Sequence, residues 1–257
     1  MDVVGEESSL DHLQGLLDWC DIVHYHDVYT KQCIFEKLPV PKKPSVIQVH
    51  SPKSWFDYKS VLESKLPIAV IAQYHPREWV RELTYIVPNV VDIEEYRPVA
   101  KNNPRPVVSF APSSTNGKDL NDKGYSTVRF YLKRRNDINF QLIHDRPFEE
   151  CMQLKRHADI GIDDIRNGGY HLSALEYLSM GIATICYIDD QTERVVKDLT
   201  GCLELPFIHK GKNNIVSPMH TALRNYLGLG FLSRQWMETY WNPSVLCNHY
   251  TRMYESL

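Results

Sequence analysis

The segment Ala158–Ile185, which reads ADIGIDDIRNGGYHLSALEYLSMGIATI, decides the fold class. It predicts a short buried strand, a polar loop that ends at Gly168-Gly169, a helix from about His171, a stop at Gly181 and another strand. A glycine-rich turn in front of a helix lets the backbone approach a phosphate, because the first N–H groups of the helix are unpaired and its N-terminus is partly positive. The segment therefore predicts an α/β unit with a phosphate-binding turn.

The same alternation of short β-branched runs and helical patterns recurs along the chain. Apolar strands without alternation are buried on both faces, as in a parallel sheet, and strands that alternate with helices give a doubly wound α/β fold. The predicted strands are Asp21–Tyr25, Ser45–Val49, Ile68–Ala72, Tyr85–Val87, Val107–Phe110, Phe140–Ile143, Ile160–Ile162 and Ala183–Cys186.

A polar stretch rich in proline, Arg97–Pro106, separates the first four predicted strands from the last four. It has no hydrophobic period, which favours a linker. We therefore predict two domains, 1–97 and 107–240, the second ending in a helix at Leu232–Tyr240, followed by a terminal helix at 243–257. Two α/β units of this kind form a cleft at the carboxyl ends of their strands, where such sheets bind ligands.

The composition indicates an ordinary globular protein. The chain has 257 residues, 43% of them hydrophobic, and a formal net charge of −3. This excludes disorder as the main state and disfavours a protein that coats nucleic acid or anionic lipid, since those proteins carry a large basic excess.

No part of the sequence predicts membrane insertion or export. The longest apolar runs, such as Leu66–Ala72, are far shorter than the roughly 18 residues of a membrane-spanning helix. The acidic N-terminus does not have the pattern of an export signal, and the six cysteines are widely spaced without a C-x-x-C pair. We therefore expect a cytoplasmic protein with free thiols.

Residues Gly169–Glu176 resemble a motif of the GT-B fold glycosyltransferases, specifically the retaining family four type, which uses nucleotide-sugar donors. In that family the loop and helix read E-G-F-G-L-S-x-L-E-A-x-A-x-G-x-P-V. The resemblance implies that Glu176 is the second glutamate of an E-x(7)-E motif, which accepts hydrogen bonds from the ribose of the donor. The first glutamate is replaced by Gly168, and Asp163 or Asp164 could take over its contact with the transferred sugar.

The segment Val107–Val128 resembles the first strand, loop and Lys-Gly pair of the same family. By this resemblance Lys123 neutralises the donor diphosphate. The arginine that the family carries earlier in the loop is absent, and Ser113, Ser114 and Lys118 are the available replacements. The predicted donor-binding residues are Ser113, Ser114, Lys118, Lys123, Gly169, Tyr170, His171, Leu172, Ser173 and Glu176.

Three further segments extend the resemblance into the first half of the chain. Val87–Pro98 is similar to I-P-N-G-V-D-x-x-x-F-x-P, and Asp21–Asp27 resembles D-V-V-H-x-H. Val46–Ser51 resembles the strand whose last histidine faces the donor sugar, so His50 would have that role. The resemblance implies two Rossmann-like doubly wound domains, the first one reduced, with the terminal helix packing back on the first domain.

We expect no metal and no other cofactor. His24, His26 and Asp27 could suggest a metal site, but we expect the two histidines to point to opposite faces of their strand. The acidic pairs Asp163-Asp164 and Asp189-Asp190 could suggest magnesium, although such pairs also end strands as caps and turns. The resemblance implies that catalysis needs no metal.

The function that follows is transfer of a sugar from a UDP- or GDP-sugar to an acceptor, with retention, and with His50, Asp163 and Asp164 as catalytic residues. The acceptor stays open among a glycan, a lipid-linked or small molecule and a modified DNA base, the last as in phage-type glucosyltransferases. Because the first glutamate is missing, an alternative is a non-catalytic nucleotide-sugar-binding protein or a subunit that needs a partner. A homo-oligomer is also open.

Overall fold

The computed structural model describes residues 10–26, 43–50, 58–73, 78–79, 84–115 and 123–257. The chain divides into two compact units. The first comprises Met1–Pro88 and Asn248–Leu257, and the second comprises Asn89–Cys247. The predicted linker Arg97–Pro106 therefore lies inside the second unit.

Within the described ranges, each unit has a four-stranded parallel sheet. The strands are β1 (Val23–His26), β2 (Ser45–Val49), β3 (Ile68–Ile71), β4 (Tyr85–Val87), β5 (Val107–Phe110), β6 (Asn139–Leu142), β7 (Ile160–Ile162) and β8 (Ala183–Ile185). The helices are α1 (Leu10–Trp19), α2 (Tyr58–Glu63), α3 (Tyr125–Leu132), α4 (Phe148–Arg156), α5 (Leu172–Ser179), α6 (Asp190–Thr200), α7 (Val216–Tyr240) and α8 (Pro243–Glu255).

The first sheet has the order β1-β2-β3-β4. All residues of β2 and β3 are buried, as expected for central parallel strands that have cover on both faces. Ile47, Val70 and Trp79 belong to one buried cluster of this unit. In a second cluster, Met253 of α8 packs with Ala69. The end of the terminal helix thus contributes to the core of the first unit.

The second sheet has the order β6-β5-β7-β8. One of its clusters joins strand residues such as Phe110 and Ile162 to Val128 of α3 and Ala222 of α7. Only glycine fits at position 161 of β7, because the ring of Tyr177 lies against the backbone there. A Cβ at Gly161 would be 2.5 Å from that ring. Helix α5 therefore packs directly on the backbone of β7.

Helix α7 is longer than the sequence predicted. We expected the final helices to begin at Leu232, whereas α7 begins at Val216 and is interrupted by non-helical backbone angles at Asn225. Gly230 of α7 packs against the turn at Gly181. A Cβ added at Gly230 would be 2.2 Å from the Gly181 carbonyl oxygen. The predicted helix stop at Gly181 is present, with a φ of 64° that favours glycine.

All eight predicted strands are present, with ends that differ by up to two residues. The expectation for His24 and His26 was wrong, since their rings stack with centroids 4.3 Å apart. The physical reason is that side chains alternate along a strand, so residues i and i+2 share a face. In the part of the chain that the structure describes, none of the helices combines the length and apolar character needed to span a bilayer.

Candidate functional site

The candidate site lies in the second unit, at the carboxyl ends of β5 and β7. From β5 the chain winds to β6 on one side of the sheet, and the later strands β7 and β8 lie on the other side. A crevice at such a reversal, outside the carboxyl ends of the strands, is where open α/β sheets bind ligands. The turn before α3 follows β5, and the Asp163–Gly169 loop follows β7.

Lys123 joins these two loops. Its ammonium donates to Asp163 Oδ1 at 2.8 Å, and both side chains are buried. The backbone of Lys123 and Gly124 is in the left-handed region, and a Cβ at Gly124 would be 2.4 Å from Ile165 Cγ1. The predicted Lys-Gly pair is therefore a tight turn that presses against the second loop and directs the lysine inward.

Asp163 accepts hydrogen bonds from several groups. Oδ2 accepts from the backbone N–H of His171 at 2.7 Å and from His171 Nδ1 at 3.3 Å. Burial by itself raises the pKa of Asp163, but the Lys123 ammonium and His171 more than offset it and hold the pKa well below its usual range. Asp163 is thus a buried, ionised carboxylate that binds the start of α5 to the turn before α3.

Asp164 closes the next part of the loop. Oδ1 accepts from the backbone N–H groups of Arg166 at 2.6 Å and Asn167 at 3.0 Å, and Oδ2 accepts from Asn167 Nδ2 at 2.6 Å. Burial raises the pKa of Asp164; His171 opposes this shift and Asp163 adds to it. This residue has the turn function that acidic pairs at strand ends commonly have.

Gly168 lies directly against Asp189, the residue that follows β8 and caps α6. Gly168 has a φ of 81°, and a Cβ there would be 2.7 Å from Asp189 Oδ2. Asp189 Oδ1 accepts from the Thr192 N–H at 2.9 Å, as in an N-cap. The space beside Gly168 is therefore filled by a carboxylate from another loop. This contact is not predictable from the sequence, because no local pattern connects the two residues.

The residues Gly169–Ser173 differ in their surroundings. Tyr170 is buried in the core, where its ring stacks on Phe207 at 5.7 Å and meets the edge of Trp241 at 5.9 Å. His171 is the N-cap of α5 with extended backbone, Leu172 is exposed and Ser173 is buried. Within this run, the buried ring of Tyr170 anchors the turn before α5.

Glu176 forms a buried ion pair with Lys155 of α4. The Lys155 ammonium donates to Glu176 Oε2, and the two residues are only 7% and 4% exposed. Among the described residues, none donates a hydrogen bond to the other oxygen, Oε1. A buried carboxylate with one oxygen fixed by a lysine is oriented to accept further hydrogen bonds. The role of Lys155 is not predictable from the sequence, because this residue belongs to no motif.

His50 lies in the first unit, at the end of β2. Its Nε2 is 2.9 Å from His26 Nδ1, and His26 in turn stacks on His24. His24 Nδ1 is 2.7 Å from the hydroxyl of Tyr254 in α8. Burial, followed by the charges of His26 and His50, lowers the pKa of His24 to about 4. The first unit thus has a row of three histidines.

The remaining predicted residues lie in the loop after β5 or outside the described ranges. Ser113 is exposed and Ser114 is half-buried. Lys118 and Asp27 lie outside the described residues. Within the ranges that the structure describes, no three histidine, cysteine or acidic side chains are arranged to hold a metal ion.

No family model and no curated protein matches this sequence. Solved structures do match it. Sucrose-phosphate synthase from Thermosynechococcus elongatus matches with a TM-score of 0.59 and 11% identity, over 96% of this chain and 76% of that chain. S. aureus TarM in complex with fondaparinux, α-GlcNAc-glycerol and UDP matches with a TM-score of 0.54 and 11% identity, over 85% and 52%.

A second structure of TarM has a TM-score of 0.55 and 11% identity, over 84% of this chain and 51% of that chain. The chain thus spans about half the length of the TarM chains that it matches. The neighbours are GT-B glycosyltransferases, and the likeness confirms the predicted fold class, α/β with two Rossmann-like units.

Proposed function

We propose that this protein is a glycosyltransferase that moves a sugar from a nucleotide-diphosphate donor to an acceptor. The observation that carries the proposal is the position of Glu176. Glu176 is buried on α5, the helix that begins shortly after the Gly168-Gly169 turn, and its Oε2 is held by Lys155. A ribose has two neighbouring hydroxyl donors, and Oε1 of Glu176 is suited to accept from them.

The diphosphate of the donor would lie at the start of α5, where unpaired N–H groups and the helix dipole favour negative charge. One TarM structure contains UDP, which makes a UDP-sugar the first donor to test and a GDP-sugar the second. We propose that binding needs no metal, because backbone and side-chain donors can neutralise the leaving diphosphate. The acceptor is a glycan, a lipid-linked or small molecule, or a modified DNA base.

For the reaction itself, we propose that His50 faces the transferred sugar. We assign Asp163 and Asp164 to holding the loop, since their oxygens bind Lys123, His171 and neighbouring N–H groups of the chain. Retention then relies on the donor phosphate, which helps to remove the proton of the acceptor on the same face. This mechanism follows from the family resemblance.

Calorimetry with UDP-glucose and GDP-glucose tests the donor site. We expect Glu176→Gln to weaken binding of the preferred donor by about 1 to 3 kcal/mol, the range for unpairing a buried hydrogen-bond partner. Glu193→Gln is the matched control, because Glu193 forms an ion pair with Lys197 within α6, away from the turn. Unchanged affinity in Glu176→Gln would show that the ribose assignment is wrong.

A second candidate function is a nucleotide-sugar-binding protein without activity of its own, or a subunit that needs a partner. It is favoured by Gly168, whose neighbour Asp189 leaves no room for a side chain. Incubation of the pure protein with the donor that it binds separates the candidates. Slow donor hydrolysis, or transfer to any acceptor class including hydroxymethylated DNA, supports the enzyme, whereas binding with neither favours the second candidate.

A further inference from the structure

Lys123 is the lysine that the sequence assigned to the donor diphosphate, yet its charge is already engaged. Its ammonium is 2.8 Å from Asp163 Oδ1, and the residue is only 3% exposed. Withdrawing Lys123 toward a ligand would leave Asp163 buried without its cation, which is strongly unfavourable. The diphosphate therefore needs a different positive group at this edge of the sheet.

His171 has the required position. It is the N-cap of α5, and its side chain is 24% exposed, in contrast to the buried Lys123. Its Nδ1 is 3.3 Å from Asp163 Oδ2, and a carboxylate can only accept, so Nδ1 carries the proton. The other ring nitrogen, Nε2, lies across the ring from this contact.

We propose that His171, and not Lys123, provides the side-chain positive charge that binds the donor diphosphate, and that Asp163 positions the His171 ring. This inference rests on the proposed function. The imidazolium Nε2–H would donate to a phosphate oxygen held at the start of α5. Lys123 then acts as a structural cation that keeps Asp163 ionised and in place.

Among the described residues, loops at this edge bring titratable and charged groups close to the ring. Asp163 Oδ2 and Asp164 Oδ2 lie 3.3 and 3.8 Å from Nδ1. Lys123 contacts the opposite oxygen of Asp163, and the thiol of Cys186, after β8, lies 3.8 Å from Asp163 Oδ2. Burial, with further contributions from Asp163 and Asp164, raises the pKa of Cys186, so this thiol stays neutral.

The test is the pH dependence of donor affinity. The phosphates of UDP-glucose and GDP-glucose are diesters and keep the same charge between pH 5.5 and 8.5, so a change in affinity over this range comes from the protein. Histidine is the side chain that ordinarily changes charge there. In the wild type we expect affinity for the preferred donor to be about tenfold higher at pH 5.5 than at pH 8.5, as for one charge-assisted hydrogen bond.

His171→Gln should remove this pH dependence and weaken donor binding at pH 5.5 about tenfold. Binding of the free nucleoside, uridine or guanosine, should be unchanged because it has no phosphate. His157→Gln is the matched control. His157 is exposed and precedes β7, at the opposite edge of the sheet from His171, and this variant should behave like the wild type.

The outcomes separate this inference from the proposed function. A wild type that binds neither donor overturns both. If the wild type binds a donor and Glu176→Gln weakens it, but His171→Gln keeps the wild-type pH profile, the function stands and the role of His171 is wrong. An equal loss of donor and nucleoside affinity in His171→Gln also overturns the inference, since it would indicate general damage to the site.

Discussion

The two units have the same kind of sheet but bury different kinds of polar group. In the first unit, His24 is hydrogen-bonded to Tyr254 and Gln48 to Tyr250, so these two partly buried bonds join neutral side chains. Among the described residues of the second unit, the ion pairs Lys123–Asp163 and Lys155–Glu176 are buried. The second sheet is also the one whose winding reverses between β5 and β7.

This difference indicates where binding chemistry is concentrated. A buried ion pair contributes little net stability, because the loss of hydration offsets much of the attraction. Two such pairs in a single unit are therefore better explained by a need for fixed, charged groups than by stability. The neutral network of the first unit needs no such explanation, because histidine, tyrosine and glutamine bury at lower cost.

The largest effect that would test this comparison is expected from Asp163→Asn. The variant leaves the Lys123 ammonium buried without an anion, and we expect the free energy of unfolding of the second unit to fall by about 3 to 5 kcal/mol. Hydrogen–deuterium exchange on peptides from β5 and β7 measures this fall. In the double variant Lys123→Met/Asp163→Asn no charge is left unpaired, so it should be less destabilised than Asp163→Asn. If the double variant is destabilised as much as Asp163→Asn, the unpaired Lys123 charge is not the cause of the loss of stability.

A smaller effect is expected from Gly168→Ala. The φ of 81° is costly for alanine, and the new Cβ would be 2.7 Å from Asp189 Oδ2. We expect a loss of about 2 kcal/mol, seen as faster exchange in the loop after β7 and at the start of α6. Gly201→Ala is the control, since Gly201 also has a positive φ but no atom within 4 Å of an added Cβ. Equal losses of stability in both variants would show that backbone strain, and not the contact with Asp189, causes the loss at Gly168.

The smallest effect is expected in the stability of the first unit at acid pH. Burial, with His26 and His50, lowers the pKa of His24 from 6.5 to about 4. Between these values the unfolded chain binds a proton that the folded chain does not, so stability is full above pH 6.5 and is lost as the pH falls toward 4. Allowing for partial exposure, we expect a loss of about 1.5 kcal/mol.

Exchange of β1 and β2 peptides, corrected for the intrinsic rate at each pH, measures this loss. His24→Gln should flatten the pH dependence, whereas His157→Gln, in the second unit, should leave it as it is. An identical profile in His24→Gln and the wild type would contradict the assignment to His24.

Much of the fold was predictable because its signals are local. The eight apolar runs and the turn at Gly181 each depend on a few neighbouring residues, and all are present. The helix expected from about His171 also begins there, with His171 as its N-cap. The start of α7 at Val216 was not predicted, since its first half contains Pro218 and the interruption at Asn225, which obscure a helical pattern.

For the candidate site, Lys123, Asp163 and Glu176 were predictable from their places in the pattern of strands, loops and helices. The sequence could not determine their partners, because Lys123 and Asp163 are 40 residues apart and meet only through the order β6-β5-β7-β8. No local pattern encodes which strands become neighbours. The tertiary structure alone therefore decided that Lys123 faces inward, that Lys155 holds Glu176, and that His171 stands at the exposed edge.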